Sequence, residues 1–204
     1  MLLYDNPTAP HPRIVRLFLA EKQIEVPRQE INLTKRENEQ PWFLALNPLG
    51  RVPVLVLDDG TAIAETLAIC RYFEYERPEP PLFGRDAREQ ALVSMWQRRA
   101  ELEIARPIMF AFRHTHPWGA DREPRQVPEW GEICRARALK RLDWFDIELG
   151  KRPWLAGEIP SVADFTLLSG LDFGRVIGIK VDAERWPRLA RWHASMRQRP
   201  SAEA

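Results

Sequence analysis

The sequence predicts a small α/β domain over residues 1–80 followed by an all-helical domain over residues 86–204. Three observations predict it. Before residue 80, short apolar runs alternate with helix-period segments; after it, apolar residues recur almost throughout at three- and four-residue spacing. Pro78, Pro80 and Pro81 cluster at the change of texture, where they break helix and suit a linker. A length of 204 residues, 45% of them hydrophobic, suits one large or two small cores.

Within the first domain, Met1–Tyr4 reads as a strand and Arg13–Lys22 as a helix with Ile14, Val15, Phe18 and Leu19 on one side. Glu30–Asn32 belongs to a second strand, and Pro41–Leu46 is helical. Val52–Leu57, the turn Asp58-Asp59-Gly60 and Thr61–Ala64 form a hairpin signal, and Glu65–Glu76 closes the unit as a helix. The order is β-α-β-α-β-β-α. In the second domain Leu92, Met95, Trp96, Leu102, Ala105, Met109 and Phe112 mark one long helix with a single apolar stripe. Ala138, Leu142, Phe145 and Leu149 mark the next.

Composition narrows the function classes. With 30 basic and 29 acidic side chains the net charge is +1, which gives no overall attraction to nucleic acid or anionic membrane. The uncharged run Pro41–Gly50 is far shorter than the ~18–20 apolar residues of a membrane span. The opening Met1-Leu2-Leu3-Tyr4-Asp5 lacks the basic start of a secretory signal. Two cysteines, Cys70 and Cys134, are too few for a disulfide framework, so a reducing, cytoplasmic setting is expected. His11, His114, His116 and His193 lack metal-ligand spacing, and no metal is expected.

Four motifs carry chemistry or structure. In Gly50-Arg51-Val52-Pro53-Val54-Leu55 a proline opens a buried strand. A cis Val52–Pro53 bond would turn Val52's N–H and C=O outward to an extended peptide ligand; a trans proline at an edge-strand start is the alternative. In Ala64-Glu65-Thr66 a helix starts, with free N–H groups for a carboxylate, a hydroxyl at Thr66 and a carboxylate at Glu65 for an ammonium. That set suits an α-amino acid head group, or else the two residues merely cap the helix. Ser161-Val162-Ala163-Asp164 is a structural capping box. Finally, Asp5-Asn6-Pro7-Thr8-Ala9-Pro10-His11-Pro12 turns into the first helix, where the prolines' missing donors go unmissed.

In this order, over essentially the whole chain, the four features resemble the cytosolic glutathione S-transferase superfamily. Its thioredoxin-like domain carries N-P-x-G-x-V-P-V-L and E-T-x-A-I-x-x-Y, and its helical domain the S-x-A-D box; the chain looks most like a bacterial and fungal subgroup. The resemblance implies glutathione as co-substrate, conjugation of its thiolate to a small hydrophobic electrophile, and a homodimer. Val52 would pair its main chain with the cysteinyl unit beside a cis Pro53. Glu65 and Thr66 would hold the γ-glutamyl end, and Arg51 and Asn38 would lie near the glycine carboxylate. Arg99, Glu101 and Glu103 stand where an acid can reach a partner subunit's ligand, or else line a solvated helix face.

The departure is at the thiol-activating position, where many classes place Tyr, Ser or Cys. Here Ala9 aligns with it, and Tyr4 belongs to the strand. The lack of a cysteine at that position argues against the disulfide-reductase classes, and the lack of S-S-C against the maleylacetoacetate isomerase class. Lowering a thiol pKa from about 8.5 to about 6.5 needs about 2.7 kcal/mol of thiolate stabilisation. A helix N-terminus gives roughly 0.3–1 kcal/mol, up to ~2 when partly buried. One charge-assisted donor worth roughly 1.5–3 kcal/mol closes the gap. The candidates are the Thr8 hydroxyl, or a water held by His114 or His116 in the aromatic run Phe110–Trp118; Phe110, Trp118 and Phe173 are candidates to line the electrophile pocket. Two other functions fit the same sequence: a non-catalytic ligand carrier or interaction module, and a glutathione-dependent peroxidase or thiol transferase.

Overall fold

The computed structural model describes residues 1–204. They divide into one unit made of Met1–Leu82 with Pro200–Ala204, and a second made of Phe83–Arg199. The chain's last residues thus leave the expected 86–204 grouping: they form a short 3₁₀ turn in the first unit, where the Ser201 hydroxyl donates to Glu21.

The first unit is a four-stranded sheet of β1 (Leu2–Asp5), β2 (Arg28–Glu30), β3 (Val54–Val56) and β4 (Ala62–Ala64), in the order β2-β1-β3-β4. β1 and β2 are parallel and joined through helix α1 (Pro10–Glu21); the other pairs are antiparallel. Leu3 pairs with Leu55, both wholly buried. Period two sends Tyr4, Val54 and Val56 to the opposite face, where they join Ile31 and Phe43, the latter from α2 (Pro41–Leu46). Helix α3 (Thr66–Glu76) packs on α1, burying Ile69, Cys70 and Phe73.

The second strand lies at 28–30 rather than 30–32, with all three residues exposed. An edge strand held by backbone pairing carries no alternating apolar signal, so its register was not written in side chains. The helix after β1 starts three residues earlier than its apolar pattern, because Pro10 and Pro12 fit a first turn.

The second unit is built from α4 (Ala87–Ala100), α5 (Arg106–Thr115), α6 (Pro128–Glu148), α7 (Val162–Gly174) and α8 (Pro187–Arg197). The single long helix expected from residue 92 to 112 is interrupted by a π-turn at Glu101–Ala105. Its buried line runs Val93, Trp96, Ala100, Ile104, Ile108 and Ala111, while Leu92, Met95, Leu102, Ala105, Met109 and Phe112 lie on the half-buried flank. The mismatch already holds at Leu92 and Met95, ahead of the π-turn, where both flank the buried Val93 and Trp96. The stripe Ala138, Leu142, Phe145 and Leu149 is fully buried as expected.

Buried acids tie the helices together. Asp164 receives Leu155 N–H, Ser161 N–H, Ser161 Oγ and Trp192 Nε1, all within 3.0 Å, so the expected Ser161–Asp164 box also anchors α8. Burial pushes the Asp164 carboxyl above its usual range against the pull of these donors. Asp146 Oδ1 accepts Arg188 N–H and Leu189 N–H, both at 2.8 Å, and so caps α8 from α6.

Candidate functional site

The hairpin's geometry brings the two first-domain motifs together. β3 and β4 pair Val54 with Ala64, the last pair of the ladder; Pro53 precedes Val54 and Glu65 follows Ala64, so the two motifs leave the same end of the hairpin. The Val52–Pro53 peptide is cis. No intrachain backbone hydrogen bond uses Val52's N–H or C=O, so both are available to an extended partner.

Glu65 is exposed and held at φ 71°, ψ 124°, where a side chain is rare. Such a conformation costs on the order of 1–3 kcal/mol and persists where surrounding structure demands it. Here it turns β4 sharply into α3. No side chain caps the helix, so the N–H groups of its first turn face outward at the positive end of the dipole. Thr66 is the first helical residue and is 9% exposed. Strand end and helix start thus present main-chain donors, a hydroxyl and a carboxylate at one end of the hairpin.

Arg51 is exposed on the loop leading to Val52. Asn38, by contrast, is 5% exposed, and its Nδ2 donates to Gly50 O at 2.8 Å. Through that bond Asn38 braces the loop that carries Arg51 and Val52. Gly50 has φ +58°, and a Cβ there would lie 3.0 Å from Asn38 O, a crowded left-handed position that favours glycine.

At the entry to α1, Asn6 organises everything. Its Nδ2 donates to Ile31 O at 3.0 Å, and its Oδ1 accepts Thr8 N–H at 3.1 Å, Ala9 N–H at 3.0 Å and the Thr8 hydroxyl at 2.9 Å. Arg16, itself buried, holds the preceding chain by donating to Asp5 Oδ1, Asn6 O and Pro7 O. Thr8 is exposed, but its one hydroxyl hydrogen is aimed at Asn6. Tyr4 lies within β1, edge-on to Phe43 at 6.0 Å. Asn6 was missed by sequence reasoning; the signal was Asn before Pro, a turn pair in which the amide accepts from the backbone two residues on.

The second unit's candidates have local partners. His114 is 9% exposed and its Nδ1 accepts Val127 N–H at 3.1 Å. His116 Nδ1 accepts Trp118 N–H at 3.2 Å, and its ring stacks on Phe112 at 5.1 Å. Both imidazoles hold the turns between α5 and α6 in place. The rings of Phe173, Phe112, His116 and Trp118 run edge to edge or stacked, 5.0–5.5 Å apart, ending on Trp118 at 79% exposure; Phe110 stands apart under Arg106. The acidic run is engaged as well: Glu101 accepts Gln97 and Arg98, Glu103 accepts Arg141 Nε at 2.6 Å, and Arg99 lies over Trp96 and Trp144.

Residues 8–76 match the family description "Glutathione S-transferase, N-terminal domain", and residues 107–200 match "Glutathione S-transferase, C-terminal domain". The chain is 41% identical to Glutathione S-transferase 2 of Saccharomyces cerevisiae over 206 residues, covering 100% of this chain and 88% of that protein. Against the crystal structure of Gtt2 from the same yeast, the TM-score is 0.93 at 41% identity, covering 100% of this chain and 99% of that one. A glutathione S-transferase domain-containing protein of Marinobacter aquaeolei VT8 gives 0.94 at 33% identity, covering 98% and 99%.

Proposed function

The chain belongs to the glutathione S-transferase family, and on that premise we propose that it joins the thiolate of glutathione to small hydrophobic electrophiles. The observation that carries this reading is the juxtaposition of Val52, beside a cis Pro53, with Glu65 and Thr66 at an uncapped helix start. Val52 pairs through N–H and C=O with the cysteinyl unit. The γ-glutamyl carboxylate lies on the α3 N-terminus and the Thr66 hydroxyl, and its ammonium on Glu65. Arg51 faces the glycine carboxylate.

In the reaction the glutathione S–H bond breaks, its proton leaves to solvent, and the sulfur lone pair forms a bond to the electrophilic carbon. A leaving group, where there is one, departs with its bonding pair. The protein's share is to favour the thiolate before attack. Thr8 supplies the donor: an amide oxygen has two lone pairs, and Asn6 Oδ1 serves three donors. The Thr8 hydroxyl is therefore the readily released one, and a thiolate is the stronger acceptor. The α1 N-terminus adds its dipole.

The electrophile is a small apolar molecule, as is usual for the family. The active species is the homodimer usual in the family. The reading places the protein in the cytoplasm, where Cys70 and Cys134 stay reduced. Separately, no helix is long and apolar enough to cross a membrane. Retention on glutathione-agarose followed by turnover of chlorodinitrobenzene tests the reading. Retention without turnover supports a ligand carrier instead; turnover of a hydroperoxide or a mixed disulfide alone supports the peroxidase or thiol-transferase alternative.

A further inference from the structure

We infer that Asn47, assisted by Asn38, is a positioning residue for glutathione, acting through the peptide plane that presents Val52. The inference rests on the reading of Val52 as the ligand's main-chain partner. Asn47 is 5% exposed, and its Nδ2 donates to Arg51 O at 2.8 Å. The Arg51 carbonyl and the Val52 N–H belong to one planar trans peptide and point in opposite directions. Fixing that oxygen toward Asn47 therefore fixes the N–H away from it, on the side open to a ligand. Asn38 does the same one peptide earlier, through Gly50 O.

Asn47 is itself held on three sides. Its Oδ1 accepts Leu49 N–H at 3.2 Å, its own N–H donates to Phe43 O at 2.9 Å, and its C=O accepts Gly50 N–H at 2.9 Å. The amide's direction is thus set by α2 and the turn after it, so the helix position reaches Val52 through two hydrogen bonds. Asn38 carries a further sign of purpose. Its Oδ1 is buried and takes no donor. An unsatisfied buried acceptor is unfavourable, so packing alone does not select an amide there. What the amide supplies is the Nδ2 bond to the loop.

The test compares wild type with Asn47→Asp, Asn47→Ala and Asn38→Ala. Asp keeps the volume and the acceptor for Leu49 N–H but cannot donate to Arg51 O. The readouts are glutathione Kd by calorimetry, KM for chlorodinitrobenzene at saturating glutathione, and melting temperature. Expected are an about tenfold weaker glutathione Kd in both Asn47 variants, about threefold in Asn38→Ala, and an electrophile KM within about twofold of wild type. An unchanged Kd in folded Asn47→Asp, or Kd and electrophile KM moving together, overturns the inference. If the Asn47 variants fail to fold, hydrogen exchange at the Val52 amide decides the matter in Asn38→Ala: glutathione-dependent protection weaker than in wild type supports it, and equal protection overturns it. Wild type giving no heat with glutathione is a separate result, which removes the proposed function itself.

Discussion

Replacing Thr8 by valine isolates the thiol-activating step. Valine keeps the volume and the backbone N–H, so Asn6 Oδ1 still accepts Thr8's main-chain donor at 3.1 Å and Ala9's at 3.0 Å, and the turn survives. Only the hydroxyl is lost, now 2.9 Å from Asn6 Oδ1. A hydrogen bond between neutral groups contributes about 0.5–1.5 kcal/mol, and one to a charged group about 1.5–3 kcal/mol. Moving the hydroxyl from amide to thiolate therefore favours the thiolate by roughly 1–1.5 kcal/mol, or about one pKa unit at 1.36 kcal/mol per unit. With a helix contribution of roughly 0.3–1 kcal/mol, the bound thiol of the wild type lies about one and a half units below its free value. Titrating the thiolate's ultraviolet absorbance in the glutathione complex measures this directly. Thr8→Val is expected to raise the bound thiol's pKa by about one unit and to lower kcat/KM near neutral pH by about tenfold. A shift below about a third of a unit refutes the hydroxyl exchange.

Three further outcomes follow from the same structure. His114→Ala lowers unfolding stability by about 1–2 kcal/mol through the orphaned Val127 N–H; in the same titration an upward thiol pKa shift in His114→Ala or His116→Ala points to a histidine-held water, and no shift leaves the thiol to Thr8. Asp164→Ala, which strips four buried donors of their acceptor, lowers the urea stability of the protein by on the order of 4 kcal/mol. The Trp186 indole N–H, with Arg185 beside it, holds the Asp143 carboxyl below its usual range; its contribution to stability is present above about pH 4 and is lost as pH falls through the lowered pKa. Asp143→Asn therefore flattens the acid limb of a melting-temperature profile against pH, and an unchanged limb contradicts the assignment.

What the sequence made legible was local or periodic. The Val52-Pro53 and Glu65-Thr66 pairs flank one short hairpin, whose Asp58-Asp59-Gly60 turn sets the register that brings them together. The Ser161–Asp164 box spans three residues and reads directly. Long-range polar work was invisible. Asp146 caps a helix that starts more than forty residues later, and an acid on a helix face carries no mark of the N–H groups it will meet. Thr8 was legible as a hydroxyl but not as one already committed to Asn6, because that depends on where the turn folds back. The same holds for the two histidines, whose imidazoles serve backbone donors of the following turns. The stripe along α4 and α5 was read off its face from the first positions, because Leu92 and Met95 are as apolar as the buried Val93 and Trp96 beside them.

Whether this fold still grips the tripeptide is settled most directly by titrating glutathione into the wild type and into Glu65→Ala by calorimetry. A saturable exotherm at one site per chain, weakened at least about tenfold in Glu65→Ala, is the predicted result. A wild type that yields neither heat nor a rise in melting temperature at millimolar glutathione contradicts it.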